Sequence, residues 1–448
     1  QKMADKKYKP LVVAIDFGTT HSGYAYSFKH DYKKDPLKIS ANKHWVDGSR
    51  GTASLKAPTC VLLSPRREFI AFGYEAEDLY SELFLDENHY DHYFFKGFKM
   101  LLYETNMLSK ATLIRDDKGK VVPALDLFAH VIRYLKNHLL EDLCIKGITV
   151  NNKDIHWVLP VSVVWTDSER QFMREAANKA GILTEQLTLC PDSEAAALYC
   201  QRIPSTQLIG SPVTRPFLSF SAGAKFMIID LGGITIISIY QKQSDGTYKE
   251  LHKPTLGPCV GTKVDEAFYQ IMINIVGRSC FQKFKDDSKE DYLYFHRDLE
   301  TRKRLIKPES NFKITIKLPS SLVTLVKETG KTMSQAIEQT EYANKITLNS
   351  DKLRMEADLF KELFREPVNM LVEHLQQLMA KDNLSDVSTI LMVGGFSELP
   401  IMLDAIMKAF PDKRVIAPKE AGLAVFKGAV LLGHEPCAVL ESNPPGLL

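Results

Sequence analysis

Leu11-Val-Val-Ala-Ile-Asp16-Phe-Gly18-Thr19-Thr20-His-Ser22-Gly23-Tyr-Ala-Tyr-Ser-Phe28 is an apolar run, a Gly/Thr turn and an alternating run that ends in aromatics. This pattern predicts a buried strand, a tight turn and a second strand. The unit returns as Phe226-Met-Ile-Ile-Asp230-Leu-Gly232-Gly233-Ile234-Thr235-Ile-Ile-Ser-Ile-Tyr240. Each copy ends a buried strand on an aspartate and places glycine and threonine next. The spacing is too long for a solenoid repeat. It points to two related halves, each opening with its own hairpin.

Around these units, strands alternate with helices. His156 to Val164 reads as a buried strand, Asp167/Ser168 as the cap of an amphipathic helix that Gly181 stops, and Asp192 as the start of another helix. Residues 204–225, rich in Pro, Gly and Ser, read as a surface loop or insertion. Farther on, Val264 to Ile275 and Tyr292 to Ile306 predict helices, Asn311 to Leu318 a strand, and Leu322 to Leu348 a hairpin. The apolar stripe from Leu359 to Met379 predicts a helix that Pro367 kinks or splits. Thr389 to Val393 is a strand leading into Gly394-Gly395-Phe396-Ser397, followed by helices after Pro400 and from Glu420 to Leu432. The fold class expected is α/β with mainly parallel sheet cores.

Composition narrows the function. The 448 residues carry 57 Lys+Arg against 55 Asp+Glu, a formal charge of +2, so no general electrostatic case exists for a nucleic-acid or membrane-surface partner. Cys60, Cys144, Cys190, Cys200, Cys259, Cys280 and Cys437 are scattered and form no C-x-x-C pair, which argues against a disulfide framework or a zinc site. No run approaches the ~18 apolar residues of a membrane span, and the lysine-rich start lacks the apolar run of a signal peptide. A cytoplasmic protein is expected. Residues 1–9 read as a disordered or non-native leader, and 435–448 as a disordered tail.

Neither G-x-x-x-x-G-K-[ST] nor G-x-G-x-x-G occurs, so an anion site must come from other turns. The two hairpins offer one, because Gly/Thr turns present backbone N–H groups and hydroxyls without a Cβ in the way. Asp16 and Asp230 at the strand ends suit a hydrated Mg²⁺, which favours carboxylates and keeps part of its water shell. Turns of this kind also serve purely structural ends, and spacing alone leaves both readings open.

Several ordered motifs carry a family resemblance. Ile15-Asp-Phe-Gly-Thr-Thr20, Pro160 with Asp167-Ser-Glu-Arg-Gln171 and Ala180-Gly181, Asp230-Leu-Gly-Gly233, Leu391-Met-Val-Gly-Gly395 and Ala424-Val-Phe-Lys-Gly-Ala-Val430 resemble the ATPase domain of the 70-kDa heat-shock proteins. Ser22-Gly-Tyr-Ala-Tyr26, Phe94-Phe-Lys-Gly-Phe-Lys-Met100, Val260-Gly-Thr-Lys-Val-Asp-Glu-Ala-Phe268 and Val393-Gly-Gly-Phe-Ser-Glu-Leu-Pro400 resemble its divergent 12A/12B branch. The likeness runs from about residue 10 to 434.

The resemblance implies an actin-like ATPase fold of duplicated, ribonuclease H-like domains: two lobes around a cleft that holds ATP or ADP with Mg²⁺. Lobe I would span 10–203. Lobe II would span 226–388, with 389–434 adding the adenosine turn and a return helix. Carried over by residue, the first phosphate hairpin is Asp16, Gly18, Thr19, Thr20 and Ser22, and the second is Asp230, Gly232, Gly233 and Thr235. Lys99 matches the lysine that reaches the γ-phosphate, while Lys96 is left as a surface residue. Asp192 matches the carboxylate that orients the attacking water, and Asp16 and Asp230 hold Mg²⁺ through water. Gly261 and Thr262 approach the phosphates from lobe II. Glu300, Lys303 and Arg304 clasp the adenosine from above, with Gly394, Gly395 and Phe396 beneath it.

Departures from the family pattern matter too. Ile234 and Ile237 stand where a third glycine and a second aspartate are usual, Asp192 replaces a longer glutamate, and Phe396 replaces a small serine. The expectation is a nucleotide-binding, chaperone-related switch with slow or impaired hydrolysis. The alternatives are a pseudo-ATPase interaction module and, less favoured, a sugar-type kinase. An unidentified protein or other surface ligand is the expected partner. With only a short tail after the last core motif, a peptide-clamping domain like that of other family members is not expected in this chain.

Overall fold

A computed structural model describes residues 9–42, 45–46, 53–86, 88–104, 108–116, 118–211 and 221–435. Its first large sheet is built from β1 (Leu11–Phe17), β2 (His21–Phe28), β3 (Ser40–Ala41), β4 (Ile155–Val161) and β5 (Leu187–Pro191), in the order β5-β4-β1-β2-β3. β1 pairs antiparallel with β2 and parallel with β4, which in turn pairs parallel with β5. A short strand, Ala57–Pro58, joins the start of β2.

The second sheet contains β6 (Leu208–Gly210), β7 (Lys225–Leu231), β8 (Thr235–Lys242), β9 (Tyr248–Gly257), β10 (Thr389–Val393) and β11 (Arg414–Pro418), in the order β6-β11-β10-β7-β8-β9. β7 pairs antiparallel with β8 and parallel with β10, and β10 pairs parallel with β11. Both sheets therefore set a hairpin between an antiparallel strand and two parallel ones. The two hairpins occupy matching places.

Parallel strands covered on both faces need continuous apolar sequence. β10 supplies it, being buried along its whole length. The helices that cover and connect the sheets include α1 (Tyr74–Leu85), α2 (Ala124–Ile145), α3 (Asp167–Lys179), α4 (Asp192–Arg202), α5 (Val260–Val276), α6 (Lys289–Leu305), α7 (Ala357–Met379) and α8 (Ala424–His434). α2 lays Leu127, Val131, Leu135 and Leu139 against Val13, Ile15 and Trp157. α8 lies late in sequence yet packs Phe426, Ala429 and Val430 on Val12 and Ala14 of the first sheet. α4 in turn joins Ala196 and Tyr199 to Phe226 and Ile228 of the second. These two helices touch where Gly428 meets Ala195: a Cβ at Gly428 would lie 1.7 Å from the Ala195 carbonyl oxygen.

Four sequence expectations need correction. The 322–348 segment is no hairpin: it forms helices Ser320–Glu328 and Met333–Glu338 before strand Ile346–Asn349, because Leu322 and Val326, four residues apart, share one buried face. Thr166, not Asp167 or Ser168, caps α3, in a reciprocal capping box with Glu169. Pro367 does not split α7, which is one helix with buried Leu363, Phe364, Val368 and Leu371 on either side of it. Within 204–225, Leu208–Gly210 is an edge strand of the second sheet, paired with β11 through a buried Leu208. Residues 212–220 of that segment lie outside the described residues, as do 1–8 of the leader and 436–448 of the tail. Among the described residues no helix is long and apolar enough to cross a membrane.

Candidate functional site

The two hairpin turns face one another. A Cβ built on Gly233 would stand 2.6 Å from Thr20 Cγ2 and 3.2 Å from Thr19 Cβ, so the absence of a side chain lets the turns touch. Gly18 is equally constrained, since a Cβ there would meet the His21 carbonyl oxygen at 2.1 Å. Thr59 braces the first turn: its N–H donates to the Thr20 carbonyl and its hydroxyl to the Gly18 carbonyl at 2.8 and 2.9 Å.

Two predicted ligands point elsewhere. Ser22 is fully buried and shares a 2.8 Å hydrogen bond with the Thr59 hydroxyl. Thr235 is buried and donates to the Pro258 carbonyl at 2.6 Å. These are the first paired residues after their turns, opposite Phe17 and Leu231, and they brace the hairpins from inside.

Behind the turns, charge is concentrated. Asp16 Oδ2 lies 2.6 Å from the Lys56 ammonium. Lys99 follows the left-handed Gly97 (φ +66°) on a short 3₁₀ turn, is 7% exposed and donates to the Phe17 carbonyl. Its ammonium also lies over the Phe17 and Trp165 rings at 5.5 and 5.0 Å. Burial lowers the Lys99 pKa to about 8 against the pull of Asp16, Asp192 and Asp230. Asp192, at the first position of α4, accepts from the Ser193 N–H at 2.8 Å, and burial raises its carboxyl to about 6. Asp230 is pushed to about 7 by burial, with Asp192 and Asp16 adding to the rise and Lys56 and Lys99 opposing it. Three carboxylates and two ammoniums thus share one partly dry site.

The second group of predicted residues forms an adjoining wall. Gly394 (φ +85°) closes on Asp230, where a Cβ would fall 2.3 Å from Oδ1. Phe396, in the 3₁₀ turn Gly395–Glu398, packs beside Gly261 of α5, stacks on Phe364 and lies 5.7 Å beneath the Lys303 ammonium. Arg304 reaches the Gly395 carbonyl at 3.5 Å and Glu398 at 3.7 Å. Lys303 is buried and binds Asp265 at 2.5 Å as well as Glu300. Thr262 is exposed on the first turn of α5.

Among the described residues, Asp265, His296 and Glu300 form the one group of three or more His, Cys, Asp or Glu side chains whose ligand atoms lie within 4.8 Å of one another. Lys303 already bonds to both carboxylates there, and the Tyr269 hydroxyl is 2.6 Å from His296 Nδ1.

Comparison with known proteins shows the family. Mouse heat shock 70 kDa protein 12A is 33% identical over 97% of this chain and 71% of its own length. The chain belongs to the heat shock 70 kDa protein 12A/12B family. Human 12A and 12B are each 32% identical over the same 97% of the chain, covering 71% and 70% of their own lengths. No protein-family model matches. The mixed α/β architecture with several sheets fits a heat-shock-70-like actin-fold ATPase.

Against that family pattern, Ile237 is 2% exposed and belongs to the core of the second half with Val260 and Val264. Ile234 is buried, and its φ is not positive, so the β-branched residue sits there without strain. Sequence reasoning missed Lys56 and His21. His21 lies in the first hairpin, within the electrostatic reach of Glu300 and Arg304, and burial lowers its pKa to about 4. Lys56 belongs to no motif; only the pairing of Ala57–Pro58 with β2 brings it to Asp16. Lys96, read as a surface residue, is 41% exposed and pairs with buried Glu77 at 3.2 Å.

Proposed function

We propose that this chain binds ATP and ADP in a cleft between two lobes, 10–203 and 226–434, whose sheets are the duplicated ribonuclease H-like halves of an actin-like fold. The observation that carries this reading is the contact of Gly233 with Thr19 and Thr20, which aims two Gly/Thr turns at one point backed by Lys99. Gly18, Thr19, Thr20, Gly232 and Gly233 offer backbone and hydroxyl groups to phosphates, and Lys99 offers charge. Glu300, Lys303, Arg304, Gly261, Gly394, Gly395 and Phe396 bound the adenosine side, with Thr262 at its rim. Asp16, Asp192 and Asp230 offer oxygen-only donors of the kind Mg²⁺ takes, and burial raises the carboxyls of Asp192 and Asp230. Asp16 and Asp230 are the carboxylates that would hold it through water, but one oxygen of Asp16 is already paired with the Lys56 ammonium at 2.6 Å, which weakens the case for a metal there.

Phosphoryl transfer depends on positioning and electrostatic stabilisation. Asp192 is the group that would orient the attacking water, and its side chain is one methylene shorter than glutamate. A displacement of ~1 Å costs on the order of 10²-fold. Core-facing Ile237 supplies no carboxylate. The chain is therefore read as a nucleotide-controlled, chaperone-related switch with slow hydrolysis.

A ligand that binds only the folded state raises its melting temperature, by about 2.7 kcal/mol of stability at a hundredfold excess over Kd. ATP and ADP are expected to raise the melting temperature of this chain, and no shift at saturating nucleotide contradicts the reading. Single-turnover assays are expected to show slow ATP cleavage that weakens further below about pH 6, where Asp192 takes up a proton. Fast turnover would show that Ile237 and Asp192 are harmless.

A further inference from the structure

Lys56 is held on every side. Its N–H donates to Ser54 Oγ at 3.2 Å, and the next two residues pair with Ser22 and His21 of β2. Its stem crosses Gly23, where a Cβ would lie 3.4 Å from Lys56 Cγ. Its ammonium stands 5.1 Å from the centre of the Phe426 ring on α8 and 2.6 Å from Asp16 Oδ2, with 21% of the side chain exposed. The position is thus set by backbone pairing, a glycine gap and an aromatic face, and not by the carboxylate alone. Asp16 is also one of the two carboxylates that the nucleotide reading assigns to hydrated Mg²⁺.

An ammonium in contact with a carboxylate neutralises it and takes one of its oxygens. A divalent cation brought to the same carboxylate meets repulsion from the ammonium in a site of low effective dielectric. Lys99 adds a second ammonium close to the same aspartates. The pair supplies two positive charges, the charge one Mg²⁺ would bring.

Resting on the nucleotide reading above, we propose that Lys56 is the resident cation of the phosphate site, so that this chain binds nucleoside di- and triphosphates in their metal-free form. Mg²⁺ then adds little to affinity, because Lys56 and Lys99 already meet the phosphates.

The test is a calorimetric titration of the whole chain with ADP, in excess EDTA and again in excess Mg²⁺. Wild type is expected to bind in both, with Kd values within about threefold. Lys56→Ala is expected to lose about tenfold or more in EDTA and to regain most of that loss in Mg²⁺, while Lys56→Arg stays close to wild type. Melting curves of the variants establish that they fold. Wild-type binding that collapses in EDTA overturns the proposal and leaves the nucleotide reading standing. So does a Lys56→Ala variant that matches wild type in both buffers. Failure of wild type to bind ADP in either buffer overturns the nucleotide reading, and the proposal with it.

Discussion

Asp230 shows how a single buried carboxyl links the fold to the site. Its folded pKa of about 7 lies above its ordinary value, so the folded chain holds this proton more tightly than the unfolded chain does. The resulting stability is fully present below the unfolded value and is lost as pH rises through about 7. Asp230→Asn is therefore expected to flatten the fall in nucleotide-free stability between about pH 4 and 7, with a gain on the order of a few kcal/mol above it. Urea titrations at several pH values check this, and an unchanged slope contradicts it. Asp16, Asp230 and the glycines of both turns were legible from sequence because turn chemistry is local. The inward rotation of Ser22 and Thr235 was not, since it depends on Thr59 and Pro258, far away in the chain. Lys56 left no local trace at all.

Among the secondary-structure elements, helix ends and close contacts decide most. Thr166→Ala removes a capping box and is expected to cost about 1 kcal/mol. Gly428→Val has no such modest outcome: its Cβ has no space against the Ala195 carbonyl, so α8 must move off α4. A loss of more than about 3 kcal/mol in denaturant unfolding is expected, and a near-neutral result would refute this packing of the two helices. The hairpins and long helices were readable because their apolar residues keep one period over many residues. The 322–348 segment misled because short helices joined by Gly330 and polar residues give too few turns for the period to declare itself. Pro367 does not end α7, because tertiary burial of the helix on both sides of it outweighs the lost backbone hydrogen bond.

At the scale of the whole molecule, an ion-pair cluster joins α6 to α1, 220 positions apart in sequence. Arg297 of α6 binds Glu77 of α1 and lies 3.5 Å from Asp78, over the rings of Tyr74 and Tyr294. Burial pushes Glu77 upward, but Lys96 and Arg297 outweigh it and hold its carboxyl below the usual value. Removing Arg297 leaves that buried charge short of a partner, at a cost on the order of 3 kcal/mol. Arg297→Ala is expected to lower the melting temperature and to raise the radius of gyration measured by X-ray scattering without nucleotide. An unchanged scattering curve would show that the pair does not hold the halves together. None of this was visible from charge counting, because partners 220 positions apart carry no shared motif.

In the proposed function, two matching turns, one from each sheet, converge on a nucleotide's phosphates. Isothermal titration of the wild-type chain with ATP measures it most directly. One site per chain, with a Kd below about millimolar, is the predicted result; no heat and no saturation at millimolar ATP would contradict it.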